Sequence, residues 1–134
     1  MYSILIVEDE LLVRLGLQAM AQWEKDRFAV AACVGDGQAA LEAWRQYRPD
    51  IVITDIIMPG LSGLELMRAI RQEGGKCPFI VITAFSHKQA LNCAEELSIC
   101  ACLEKSTMTQ RDVNSALMLA CSKVQEALPE PRKP

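Results

Sequence analysis

Several things are scarce in this 134-residue chain, and each scarcity closes off a class of function. There is a single histidine, His87, with no partner at a spacing suited to zinc, and the six cysteines (Cys33, Cys77, Cys93, Cys100, Cys102 and Cys121) include no CxxC pair. A structural zinc site and a thioredoxin-type redox motif are therefore excluded, and isolated thiols packed in a reducing compartment are expected. Cys100 and Cys102, two apart on a predicted strand, are expected to share one face and to be unsuited to a disulfide. No apolar run approaches the roughly 20 residues that span a bilayer, and the opening MYSILIVEDE lacks the basic flank and long apolar stretch of a signal peptide. A cytoplasmic protein without membrane attachment is the expectation. With a formal net charge of −3 and no basic block before the last few residues, the segment is not expected to bind nucleic acid by itself.

What is present is half apolar: 51% hydrophobic and 23% charged, enough for one well-filled core and too short for a second folded domain. Four apolar runs each stop at a residue able to handle a phosphoryl group or its accompanying metal. Ile4-Leu5-Ile6-Val7 stops at Glu8-Asp9, Ile51-Val52-Ile53-Thr54 at Asp55, Phe79-Ile80-Val81-Ile82 at Thr83, and Ala101-Cys102-Leu103-Glu104 at Lys105. Strands are expected over 3–8, 28–34, 51–55, 79–83 and 100–104, alternating with helices near 10–24, 37–47, 63–73, 87–97 and 110–127. Five strand-then-helix repeats imply right-handed crossovers and a doubly wound, five-stranded parallel α/β sheet covered on both faces. Turn signals agree: Gly35-Asp36-Gly37 and Ser62 open helices, Pro49 ends one, Pro59-Gly60 breaks the loop after Asp55, and Gly74-Gly75 closes the third helix. The expected domain covers 1–128. The alternating prolines of 129–134 read as the start of an extended linker, or else as a frayed terminus.

In such a sheet the strand ends share one edge, where open α/β sheets place their ligands. Glu8, Asp9 and Asp55 would crowd like charges there, which requires a compensating cation or protons, and an oxygen-only donor set selects a hard ion such as Mg2+. The competing account is that Glu8 and Asp9 merely cap the first helix. It does not serve Asp55, because Ile56-Ile57-Met58-Pro59 follows it and no helix begins at once. A carboxylate there can act as a covalent nucleophile toward phosphorus, with the Thr83 hydroxyl, the Ala84 N–H and the Lys105 ammonium placed for the charge that results.

These residues resemble the receiver domain of two-component response regulators over 2–128. The resemblance rests on Ile4 to Glu10, on the run from Pro49 to Pro59 with Gly63 following, on Thr83-Ala84 and on Lys105. It implies a flavodoxin-like (βα)5 fold in which Asp55 takes phosphate from a phosphohistidine on a sensor histidine kinase. Asp9 would bind Mg2+ directly, Glu8 through water, and Asp55 and the backbone carbonyl of Ile57 would complete the ligands. Thr83, Ala84 and Lys105 would hold the phosphoryl group. The chain would catalyse only its own phosphorylation and dephosphorylation, and would control transcription through a further DNA-binding domain. Trp23-Glu24-Lys25 before Phe28, with the helix start Asp36 to Glu42, resembles the subgroup preceding AraC-type DNA-binding domains, although Trp23 also fits a core aromatic ending the first helix.

Two departures fall in the output half. Ser106 replaces the proline usual after the lysine. A non-proline cis bond costs about 2.5–4 kcal/mol, so a trans bond and a less firmly aimed Lys105 are expected. Cys102 occupies the switch position, three before the lysine, where the family places Tyr or Phe. On the last helix Val113, Leu117, Ala120 and Val124 follow core spacing, while Met118 and Leu119 fall off it. Those two are either ordinary exposed residues or part of a homodimer surface made by 87–97, the fifth strand and 110–127. Ile57 and Phe85 flank the site and are expected to slow self-hydrolysis by restricting water. A phosphorylation-independent interaction module is the alternative reading. A haloacid-dehalogenase-like phosphatase would need an acid where Ile57 stands, and Glu8-Asp9-Glu10 would repel a flavin phosphate.

Overall fold

The computed structural model describes residues 1–58, 60–84 and 96–127. Its elements are β1 (Tyr2–Val7), α1 (Leu11–Ala21), β2 (Phe28–Val34), α2 (Gly37–Tyr47), β3 (Ile51–Asp55), α3 (Gly63–Gln72), β4 (Phe79–Thr83), β5 (Ile99–Glu104) and α4 (Gln110–Ala127). The helix expected over 87–97 lies outside the described residues except for Glu96 and Leu97, which are helical. Pro59, Phe85, His87, Cys93 and the segment 129–134 also lie outside them.

All five strands pair in parallel in the order β2-β1-β3-β4-β5. β3 and β4 are buried along their whole length, as the near-continuous β-branched runs require of strands covered on both sides. Alternate side chains feed two cores. Ile4, Ile6, Ile51, Ile53, Ile80 and Ile82 pack with α1 and α4, while Leu5, Val7, Val52, Phe79 and Val81 pack with α2 and α3. On α4 the expected stripe of Val113, Leu117, Ala120 and Val124 is buried, and Met118 and Leu119 are exposed.

Local chemistry fixes the boundaries. Asp36 caps α2 through the Ala39 N–H, and Ser62 with Glu65 forms a reciprocal capping box at α3. α1 ends at Ala21, three residues earlier than its periodicity suggests. A turn in which the Arg27 and Phe28 N–H groups both donate to the Glu24 carbonyl follows it, and Gln110 Nε2 donates to the Met20 carbonyl at 2.9 Å. Trp23 is consequently in that turn, half-exposed with its ring tilted against Phe28, rather than a core residue ending the helix.

The expectation that Cys100 and Cys102 share a face is overturned. Ile99 pairs with Phe79 but Ala101 pairs with Ile80, so Cys100 is the extra residue of a bulge. Cys100 packs with Ala101 and Leu103 on the α1/α4 side, and Cys102 packs with Ile99 on the α2/α3 side. Both are unbridged.

Candidate functional site

Strand order reverses direction between β1 and β3, which opens a crevice beyond their carboxyl ends. Val7 pairs with Thr54, so Glu8 and Asp55 leave the sheet side by side. One carboxylate oxygen from each of Glu8, Asp9 and Asp55 lies within 4.8 Å of the other two. Glu8 is 0% exposed and Asp55 4%, whereas Asp9 stands at the surface. The helix-capping account of the acidic run is not realised: Glu10 is the N-cap of α1 and makes no side-chain cap hydrogen bond.

Gly63 sets the floor under Asp55. Its N–H donates to the Ile56 carbonyl at 2.8 Å, and a Cβ at this position would stand 1.9 Å from the Asp55 carbonyl oxygen. Only a residue without a side chain lets α3 start this close to the end of β3. The Ile57 N–H then donates to Asp55 Oδ1 at 3.2 Å, while the Ile57 side chain is largely exposed.

Across the crevice, Ile82 pairs with Asp55, so Thr83 projects one residue further along the same edge and is buried. The Lys105 N–H donates to the Thr83 carbonyl at 2.8 Å, which ties the end of β4 to the residue after β5. Ala84 follows at the surface. No peptide among the described residues is cis, so the Lys105–Ser106 bond is trans as expected. The looser aim expected of Lys105 is not found: Nζ lies 2.5 Å from Glu8 Oε1, 2.6 Å from Asp55 Oδ2 and 3.2 Å from Glu10 Oε1, and the side chain is only 10% exposed. Carboxylates, rather than a proline-shaped loop, hold it. Cys102 is half-buried against the α2/α3 core, one strand position from Leu103 and apart from the charged cluster.

Electrostatics follow from burial. Desolvation pushes the Glu8 carboxyl up to about 7, against the hydrogen bond from Lys105 and with the help of the Asp55 charge. Burial alone would lower the Lys105 ammonium, but its hydrogen bonds to Asp55 and Glu8 outweigh that and raise it above the usual range. Glu8 Oε2 is buried with no hydrogen-bond partner among the described residues. Such an orphaned oxygen is costly unless a cation meets it. The carboxylates of Glu8, Asp9, Glu10 and Asp55 with the one ammonium leave a formal charge of three negative, most of which one divalent ion offsets. An all-oxygen donor set, an orphaned carboxylate oxygen and this charge fit Mg2+.

The chain matches the sequence profile described as response regulator receiver domain over residues 4–117. It belongs to the response regulator receiver domain family. The Mycobacterium tuberculosis (strain CDC 1551 / Oshkosh) transcriptional regulatory protein PdtaR is 32% identical over 123 residues, covering 92% of this receiver and 58% of that protein. An uncharacterized response regulatory protein of Staphylococcus epidermidis is 35% identical over 85 residues, covering 63% of this receiver and 33% of its relative. The chain thus spans between a third and three fifths of these relatives. Among solved structures, the REC domain of AraT, a response regulator from Geobacillus stearothermophilus, superposes with a TM-score of 0.81 at 30% identity, covering 95% of this receiver and 98% of that chain. Members of this family bind Mg2+ at an acidic pocket, and the receiver's Glu8, Asp9 and Asp55 form one.

Two contacts go beyond the residues expected from sequence. Glu10 reaches Lys105, and Arg14 Nη1 donates to the Glu8 carbonyl at 2.9 Å. The unbroken acidic run Glu8-Asp9-Glu10 is the visible signal for the first; nothing in the sequence singles out the second.

Proposed function

We propose that Asp55 of this receiver domain accepts a phosphoryl group from the phosphohistidine of a sensor histidine kinase in a Mg2+-dependent reaction. The single observation that carries this reading is the seating of buried Asp55 between the Glu8/Asp9 carboxylates and the Lys105 ammonium. An Asp55 carboxylate oxygen attacks phosphorus, the donor P–N bond breaks, and its electron pair returns to the imidazole nitrogen. Bound Mg2+ supplies the positive charge that lets two anions meet. Glu8, Asp9, Asp55 and the Ile57 carbonyl would hold that ion. Lys105, the Thr83 hydroxyl and the Ala84 N–H would take the phosphoryl oxygens, and Lys105 would give up its pairing with Asp55 as it does so. The chain acts on itself and turns over no separate substrate. Thr83 and Cys102 would carry the change to the output face, with Cys102 too small to act as the usual aromatic lever.

The reading extends to context. The receiver would occupy 1–128, with a linker from 129 toward an output domain, and would work in the cytoplasm. No described helix is long and apolar enough to cross a membrane. Transcriptional output through a following domain is supported by relatives named as transcriptional regulators, and an AraC-type DNA-binding domain there rests on the resemblance of the Trp23-Glu24-Lys25 segment alone. Phosphorylation would favour a homodimer through 87–97, β5 and α4.

Incubation with acetyl phosphate and Mg2+, followed by intact mass, tests the central step. One labile phosphoryl addition that is absent without Mg2+ and absent in Asp55→Asn is expected. An unmodified wild-type protein, or an Asp55→Asn protein modified equally, would overturn the proposal.

A further inference from the structure

Lys105 is held by three carboxylates, and one of them has no part in the ion pocket. Glu8 and Asp55 belong to the triad whose oxygens converge within 4.8 Å; Glu10 does not, yet its Oε1 lies 3.2 Å from Lys105 Nζ. Glu10 sits at the N-cap of α1, a position where shorter side chains such as Asp or Ser accept a hydrogen bond from the first turn. Its side chain makes no such bond and reaches across to the residue after β5 instead. The Glu10 side chain is 61% exposed, so no packing role accounts for it.

The three contacts differ in what becomes of them on phosphorylation. An acyl phosphate, bonded through one Asp55 oxygen and leaving the other a carbonyl, removes the carboxylate charge that Lys105 pairs with there, and Glu8 would be recommitted to a bound divalent ion. Glu10 then remains as an uncommitted anion within reach of the ammonium. We propose that Glu10 is a positioning residue for Lys105, holding Nζ at the mouth of the pocket when Asp55 carries phosphate. This assigns to a charge the aiming that the trans Lys105–Ser106 loop leaves to other groups. It rests on the reading of Asp55 as phosphoacceptor.

The test uses Mg2+ with beryllofluoride, a non-reacting phosphoryl mimic, so that binding is read and not turnover. Affinity is measured for wild type, Glu10→Gln, Lys105→Met and the double variant, with the amide spectrum checking the fold of each. Glu10→Gln is expected to weaken beryllofluoride binding by about two- to fivefold, the scale of a partly exposed ion pair, and to have no effect in the Lys105→Met background. An equal loss in both backgrounds would show a general charge effect and overturn the positioning role, as would no loss in either. If Lys105→Met binds too weakly to titrate, the 15Nζ signal of Lys105 in the beryllofluoride complex decides. A shift or broadening on Glu10→Gln is expected, and an unmoved signal overturns the role. Wild type that fails to bind beryllofluoride with Mg2+ would instead sink the phosphoacceptor reading, and this inference with it.

Discussion

Replacing Gly63 by alanine sets two physical effects against each other, and the sign of the outcome decides between them. Gly63 is the first residue of α3, and helix propensity taken alone gives alanine an advantage of up to about 1 kcal/mol over glycine. Against this, the new Cβ would lie 1.9 Å from the Asp55 carbonyl oxygen and 2.9 Å from the Ile56 Cα. Both are backbone atoms, so no flexible side chain can give way, and the loop must retreat by about 1 Å or more to restore non-bonded contact. Overpacking of this kind costs about 1–3 kcal/mol, which outweighs the propensity gain. Taking the upper part of that cost, about 2–3 kcal/mol for a clash with backbone atoms, and subtracting the propensity gain leaves about 1–2 kcal/mol. At a urea slope of about 2 kcal/mol per molar, this lowers the midpoint of unfolding by roughly 0.5–1 M. Gly16 is the control: it lies inside α1, where an added methyl group would meet nothing within 4 Å, and Gly16→Ala is expected to raise stability by about 0.5–1 kcal/mol. Because the displaced backbone includes Asp55, the proposed phosphoacceptor at the end of β3, phosphorylation of Gly63→Ala by acetyl phosphate should slow on the order of a hundredfold. A Gly63→Ala midpoint at or above wild type, with unchanged phosphorylation, would refute the close-approach argument.

Other consequences are open to direct measurement. Ser62→Ala removes half of the capping box and should cost about 1 kcal/mol in urea unfolding, with Asn at the same position retaining most of it. Burial raises the Cys100 thiol to about 11, so it should resist iodoacetamide at a pH of about 8.5 in the native protein and react once unfolded. Since that folded value lies above the unfolded one of 9.0, its contribution to stability is complete below that pH and is lost as pH climbs toward about 11, which denaturation midpoints across that window would reveal. Mg2+ should raise the melting temperature of wild type, by about 2.7 kcal/mol of stabilisation at a hundredfold excess over the dissociation constant, and Asp9→Ala should abolish most of the rise. An equal rise in Asp9→Ala would place the ion elsewhere.

Much of this molecule is legible in its sequence because the signals are local. Four apolar runs ending in Asp, Thr or Lys mark four of the five strands within a residue or two, and Ser62 and Asp36 mark helix starts through capping chemistry that needs only three neighbouring residues. The convergence of Glu8, Asp9, Asp55 and Lys105 follows from topology, because parallel strands put all their carboxyl ends on one edge. What escapes depends on tertiary contact. The bulge at Cys100 breaks the period of two on which face assignment relies, and α1 stops short where Gln110, ninety residues away, takes the Met20 carbonyl. The firmness of Lys105 is hidden for the same reason: its restraint comes from carboxylates on the loop after β1 and on β3, rather than from the residue beside it.

Asp55 is the one group proposed to take up phosphate. Borohydride reduction of the protein after treatment with acetyl phosphate and Mg2+, followed by peptide mass mapping, locates an acyl phosphate by converting its carboxyl to an alcohol. The modification is expected at residue 55 and nowhere else; finding it at Asp9 or another carboxylate, or finding none while phosphate is incorporated, would contradict the account.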